Sequence, residues 1–134
     1  MTSKTTEGQL YNAMIKGDVL AKECPSRIVL RDITNRWGVL VIIALSKDTL
    51  RFSELRRRVT GISEKMLSQT LQSLEYHQLV VRISHPVVPP HVEYNLTEHG
   101  QVVCEKLTDL TDWIENNLEI LMPNEDFEAE VVNG

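Results

Sequence analysis

Apolar residues recur along this chain at helical, continuous and alternating spacings, and each spacing predicts a different element. Ile28, Leu30, Ile33 and Trp37 form an apolar stripe on a helix that begins at Cys24-Pro25. Proline suits a first helical turn, where its missing N–H would be unpaired in any case. A break at Asn35-Arg36 leads into Trp37–Leu45, apolar almost all round, which predicts a buried central helix. Lys47-Asp48-Thr49 is a turn, and Leu50-Arg51-Phe52 reads as a very short strand. Ser53 is then expected to cap a short helix, Glu54 to Val59, closed by Thr60-Gly61, with Leu55 and Val59 inward.

A longer helix follows, capped by Ser63 and reaching Tyr76. Its spacing turns Met66, Leu67, Thr70, Leu71 and Leu74 inward and leaves Glu64, Lys65, Ser68, Gln69, Gln72 and Ser73 on a polar face. Leu79–Ser84 is rich in β-branched residues and reads as a strand. Pro86, Pro89 and Pro90 lack amide donors, so the stretch containing them must be a loop. His91–Leu96 alternates apolar and polar, as a half-buried return strand does. Thr97 caps a final helix to about Leu121, with Val103, Leu107, Leu110, Trp113, Ile114 and Leu118 at helical spacing and acidic residues opposite; Pro123 ends it. Upstream, Gln9–Lys16 is a weak helical candidate. The expected organisation is a disordered leader (1–8), one domain (9–121) and a flexible acidic tail (122–134).

Composition agrees with one globular domain: 134 residues, 42% hydrophobic and 25% charged. The longest apolar run, Val39–Leu45, is far short of the ~20 residues of a membrane span, and the first residues lack the apolar stretch of a signal peptide, so a cytoplasmic location is expected. Cys24 and Cys104 are too few for a disulfide scaffold and lack paired zinc spacing. Phosphate-loop, dinucleotide, nucleophile-elbow and HExxH motifs are absent, and His77, His85, His91 and His99 do not cluster on one helix. The expectation is no enzyme, no cofactor and no metal.

Net charge is −5, which at first sight opposes nucleic acid. The distribution changes that reading. Residues 51–82 carry six basic and three acidic side chains, whereas residues 83–134 carry one basic and eleven acidic. The middle of the chain is basic, and the acidic end would face away from a duplex.

A short helix, a glycine-containing turn, a longer helix and a β-hairpin, in that order, make a winged helix-turn-helix. The fold class is mainly α with a small β-hairpin, flanked by N- and C-terminal dimerisation helices. An α-helix fits the major groove of B-DNA, and the residues near its start meet base edges. Glutamine can pair with adenine and lysine with guanine, and helix-start amides can meet a phosphate.

Three stretches make the likeness specific: Arg51-Phe52-Ser53-Glu54-Leu55; Gly61-Ile62-Ser63-Glu64-Lys65-Met66-Leu67-Ser68-Gln69-Thr70-Leu71; and Val88 to Gly100 through His91-Val92-Glu93-Tyr94-Asn95-Leu96-Thr97. With Cys24-Pro25 and Trp37, this ordered series over roughly residues 24–118 resembles the HxlR family of transcription regulators, related to the MarR group. The resemblance implies a homodimer formed through terminal helices on a pseudo-palindromic operator. It also implies that oxidants, electrophiles or small ligands are sensed in many relatives. The chain departs from the family in having Asn35-Arg36 where Gly-Lys is usual before the tryptophan, and His91 where an arginine is common at the end of the wing.

The candidate DNA contacts are Ser63, Lys65, Met66, Ser68, Gln69 and Gln72 on the longer helix, Arg51 and Arg56 before it, Arg36, and Arg82, His85 and His91 on the wing. The plainer alternatives are a solvated helix face, a surface charge run and strand-edge polarity; by spacing alone Met66 belongs to the core. Cys24 is the candidate redox sensor, because a helix N-terminus and nearby Lys22 and Arg27 favour a thiolate. Its alternative is an inert buried thiol. Val103, Leu107, Leu110, Trp113, Ile114 and Leu118 are the candidate dimer seam. A protein–protein adaptor that reuses the winged-helix fold without DNA remains the competing function class.

Overall fold

The computed structural model describes residues 18–126. The leader, the Gln9–Lys16 helix candidate and all but the first residues of the acidic tail lie outside them. Helix α1 spans Ser26–Thr34 and α2 spans Arg36–Ala44. A two-residue strand, β1 (Leu50–Arg51), leads into α3 (Phe52–Arg58) and α4 (Glu64–Tyr76). The hairpin β2 (Val80–His85) and β3 (His91–Leu96) follows, then α5 (Glu98–Asn116) and the single turn α6 (Leu118–Leu121).

Asn35 makes the first corner. Its side-chain amide donates to the Arg31 and Asp32 carbonyls that end α1, while its oxygen accepts from Gly38 N–H at 2.9 Å to start α2. Gly38 permits the close turn, because a Cβ there would lie 2.5 Å from the Asp32 carbonyl oxygen. Helix α2 then runs through the centre of the fold, with Val41, Ile42 and Leu45 fully buried. Around it gather Leu55 from α3, Leu67, Leu71 and Leu74 from α4, Val80, Tyr94 and Leu96 from the sheet, and Cys104 and Leu107 from α5.

The sheet is antiparallel, in the order β1-β3-β2. Leu50 pairs with Tyr94 and Arg51 with Glu93, so the short strand anchors the start of the helix-turn-helix to the wing. Between α4 and β2, Gln78 takes a left-handed conformation (φ 62°) and lets Leu79 N–H close on the Leu74 carbonyl at 2.9 Å.

Several expectations are corrected. Ser53 does not cap α3: the helix starts one residue earlier, at Phe52, and the Glu54 carboxylate instead accepts from Arg51 N–H at 2.8 Å. Met66 points outward rather than into the core. Strand β2 begins at Val80 rather than Leu79 and runs to His85. The final helix is not continuous to Leu121; it stops at Asn116, where Asn117 turns back and donates to the Trp113 carbonyl at 2.7 Å. The stripe is split: Ile28 and Leu30 on α1 are half exposed (50% and 49%), whereas Ile33 and, on α2, Trp37 pack against the buried cluster.

Candidate nucleic-acid interface

Two caps and a glycine set the geometry of the helix pair. Helix α3 ends at Val59, whose N–H donates to the Leu55 carbonyl at 2.8 Å. Gly61 then turns the chain with φ +92°, a value that glycine adopts without strain. Ile62 is buried and pins the turn, and the Ser63 hydroxyl accepts from Met66 N–H at 3.0 Å to start α4. Leu67, Thr70, Leu71 and Leu74 are buried on one side of α4. Ser63, Lys65, Met66, Gln69 and Gln72 are exposed on the other, and Ser68 is half-buried. No hydrogen bond or ion pair to the rest of the described chain holds Lys65, Gln69 or Gln72.

Basic side chains surround the start of this helix. Arg56 of α3 reaches Glu64 at 3.0 Å, an exposed ion pair that solvent screens strongly. Arg58 pairs with Asp48 at 3.0 Å instead of facing the turn alone. Arg51 is exposed where β1 meets α3. Arg36 lies over the Trp37 ring, 4.6 Å from its centroid, and a Cβ on Gly61 would meet that same ring at 3.8 Å. The indole therefore ties Arg36 to the turn before α4. An open groove of about 800 Å³ runs between α3 and that turn, bordered by Phe52, Arg56, Arg57, Gly61, Ser63 and Glu64.

On the wing, Arg82 is exposed and donates to Ser84 Oγ at 3.2 Å. His85 and His91 face each other as cross-strand partners with stacked rings, 4.5 Å between centroids, so both are held by the hairpin. Glu93 lies beside them, its Oε1 2.5 Å from His85 Nε2 and 3.5 Å from His91 Nε2. Sequence reasoning, which looked for metal ligands along one helix, missed this grouping because its members meet only across paired strands.

The other candidate residues divide. Cys24 is buried, with only 2% of its surface exposed, just before α1. Leu107 belongs to the core of its own chain and not to an exposed seam, and Val103 packs against that core. Leu110 and Trp113 are 54% and 55% exposed, Ile114 and Leu118 are half-buried, and Ile120, Leu121 and Met122 continue the exposed apolar run. A further residue carries an ionic role that the sequence did not reveal. Asp32 on α1 lies 2.7 Å from Nε2 of the buried His77 at the end of α4. That hydrogen bond holds the Asp32 carboxyl below its ordinary 3.8, with help from Arg31 and against the raising effect of burial.

These elements define a winged helix-turn-helix protein. The HxlR-like helix-turn-helix family matches residues 32–122. The chain is 54% identical over 109 residues to an uncharacterized HTH-type transcriptional regulator, YtfH, of Escherichia coli (strain K12), covering 81% of this chain and 86% of that protein. The solved structure of the regulator ytfH from Salmonella typhimurium superimposes with a TM-score of 0.74 at 53% identity, covering 79% of this chain and 95% of that one. The redox regulator HypR, in its oxidised form, matches with a TM-score of 0.65 at 33% identity over 70% of this chain and 97% of that one. The chain belongs to the HxlR-like helix-turn-helix family and is a transcriptional regulator of that family. Among the described residues, no helix is long and apolar enough to cross a membrane.

Proposed function

We propose that the chain is a homodimeric, sequence-specific regulator that reads duplex DNA with the outward face of α4. One observation carries this reading. Lys65, Gln69 and Gln72 stand exposed on the first turns of a rigidly capped helix, with no partner in the described chain. These side chains have the donors and acceptors that discriminate base edges in a major groove. Arg36, Arg51 and Arg56 supply charge for the flanking phosphates, Ser63 adds a hydroxyl at the helix start, and Met66 offers an apolar contact to a thymine methyl. Arg82 and the two wing histidines reach the backbone beside the hairpin.

The dimer is built from the exposed apolar positions of α1 and the distal half of α5, with Leu110 and Trp113 at its centre. Two copies then present their α4 helices to successive major grooves about 34–36 Å apart. A cytoplasmic location follows from this role.

Cys24 is the thiol that answers oxidants or electrophiles in this reading. The family likeness to a redox regulator supports it, and its burial means that α1 must open for a reagent to reach sulfur. With Cys24→Ser, the release of DNA by diamide disappears while basal affinity is unchanged.

The test is a titration of fluorescent duplex from upstream of the chain's own gene at several salt concentrations. Phosphate contact requires log affinity to fall linearly with log salt, with a slope of about −0.9 for each phosphate neutralised. An adaptor that does not use DNA gives no salt-sensitive binding, and that result removes the proposal.

A further inference from the structure

We propose that the wing hairpin carries a binding site for one divalent transition-metal ion of the zinc class, formed by His85, His91 and Glu93. This goes beyond DNA reading and does not depend on it. The register puts all three on one side of the hairpin: His85 is the cross-strand partner of His91, and Glu93 lies two residues further along the same strand. One ligand atom from each lies within 4.8 Å of the other two. Metal–donor bonds of about 2.0–2.2 Å place the donors of a tetrahedral ion roughly 3.3–3.6 Å apart, so small side-chain rotations close the set.

The second observation is the state of His85. Its side chain is 38% exposed, but its Nε2 is shielded from solvent and ion-paired with Glu93 Oε1 at 2.5 Å without hydrogen-bond alignment. A nitrogen packed this closely against a carboxylate and a second imidazole leaves three electron-pair donors converging on one point, which a cation bonded to all three would satisfy. Two imidazoles and one carboxylate suit zinc, copper or nickel, whereas calcium and magnesium prefer all-oxygen sets. Three protein ligands leave a fourth position for water or an incoming group. A bound ion links β2 to β3 at the loop end of the hairpin, adding to the backbone pairing and the contacts among these three side chains.

The experiment uses the full chain, without a polyhistidine tag and stripped of metal, titrated with Co²⁺ as a spectroscopic probe and with Zn²⁺ in competition. The expected result is one ion per chain, visible cobalt bands of nitrogen–oxygen character, and a thermal midpoint raised by Zn²⁺. His85→Ala, His91→Gln and Glu93→Gln each weaken binding at least tenfold and abolish the Zn²⁺-dependent rise. Their thermal midpoints in metal-free buffer match the parent chain, which shows that they fold. Binding equal to the parent in the His85→Ala and His91→Gln chains overturns the proposal. So does absence of stoichiometric binding in the parent, or a sulfur-to-cobalt charge-transfer band that assigns the ion to Cys24 or Cys104.

Discussion

Helices α4 and α5 are built alike at their starts and differently along their outer faces. Each begins with a hydroxyl that accepts from a backbone amide at 3.0 Å, Ser63 from Met66 and Thr97 from Gly100. Each has a glutamate in its first turn, favourable beside the helix dipole, and each buries one stripe in the same core. Away from the core, α4 offers Lys65, Gln69 and Gln72, which water solvates without cost. By contrast, α5 offers Leu110 and Trp113, which water does not solvate well. The difference separates two kinds of incompleteness. A polar face is stable in water on its own, whereas an exposed apolar face is the kind of surface that protein partners cover.

Breaking the apolar face gives the largest effect. Each buried Leu or Trp contributes roughly 1.5–3 kcal/mol, and a symmetric seam counts every residue twice. The double change Leu110→Asp with Trp113→Asp is expected to weaken the proposed dimer by at least a thousandfold, read by sedimentation equilibrium, while the monomer keeps its helical circular dichroism. A dimer of parental strength in that variant transfers the seam elsewhere.

Breaking the polar face comes next. Lys65→Ala with Gln69→Ala lowers operator affinity by about a hundredfold, since a good base contact is worth about 1–3 kcal/mol. The dimer and the thermal midpoint are unchanged. Retained operator affinity would remove α4 as the reading helix.

The shared caps sharpen the comparison at smaller cost. Ser63→Ala and Thr97→Ala each destabilise the fold by about 1 kcal/mol in urea titrations. Only Ser63→Ala is expected to weaken DNA binding as well, because in the proposed reading only that cap lies at the end facing DNA. Equal losses of DNA binding in both variants would mean that the caps act through stability alone.

The smallest effect concerns acid. Asp32 has a folded-state value below its ordinary 3.8, so its bond to His77 stabilises the fold above that value and is lost as pH falls through the folded one. Asp32→Asn therefore lowers stability at neutral pH by about 0.5 kcal/mol, the low end for one hydrogen bond, because solvent screens a carboxylate so near the surface. Below pH 3.8 the variant and parent converge. A constant gap across that range would show that the carboxylate charge plays no part.

Local chemistry made much of this readable in the chain itself. Ser63, Gly61, Thr97 and the His91–Leu96 alternation each act within a few residues, and all four appear where the pattern puts them. What was hidden depends on partners distant in sequence. Pairing of β1 with β3 extends Leu50-Arg51 only as far as Arg51, so α3 starts at Phe52 and Glu54 takes over from Ser53. Periodicity identifies an apolar stripe but not what covers it, and in the stripe on α1 Ile28 and Leu30 are half exposed. Gln78 gave no turn signal, because glycine usually takes the left-handed position that it occupies. The meeting of His85, His91 and Glu93 required a strand register that spacing along one element cannot supply.

The root of the wing is clamped to the start of α5. Thr97 donates its hydroxyl to the Gln78 carbonyl at 2.6 Å and its N–H to the Leu79 carbonyl at 3.0 Å. Gly100 sits so close that a Cβ would fall 2.0 Å from that same Leu79 oxygen. In the proposed assembly each subunit is thus a lever without an elbow. A signal that loosens its hold on an operator must swing the wing and α5 together, changing the pitch between the two reading heads while the junction between them stays fixed.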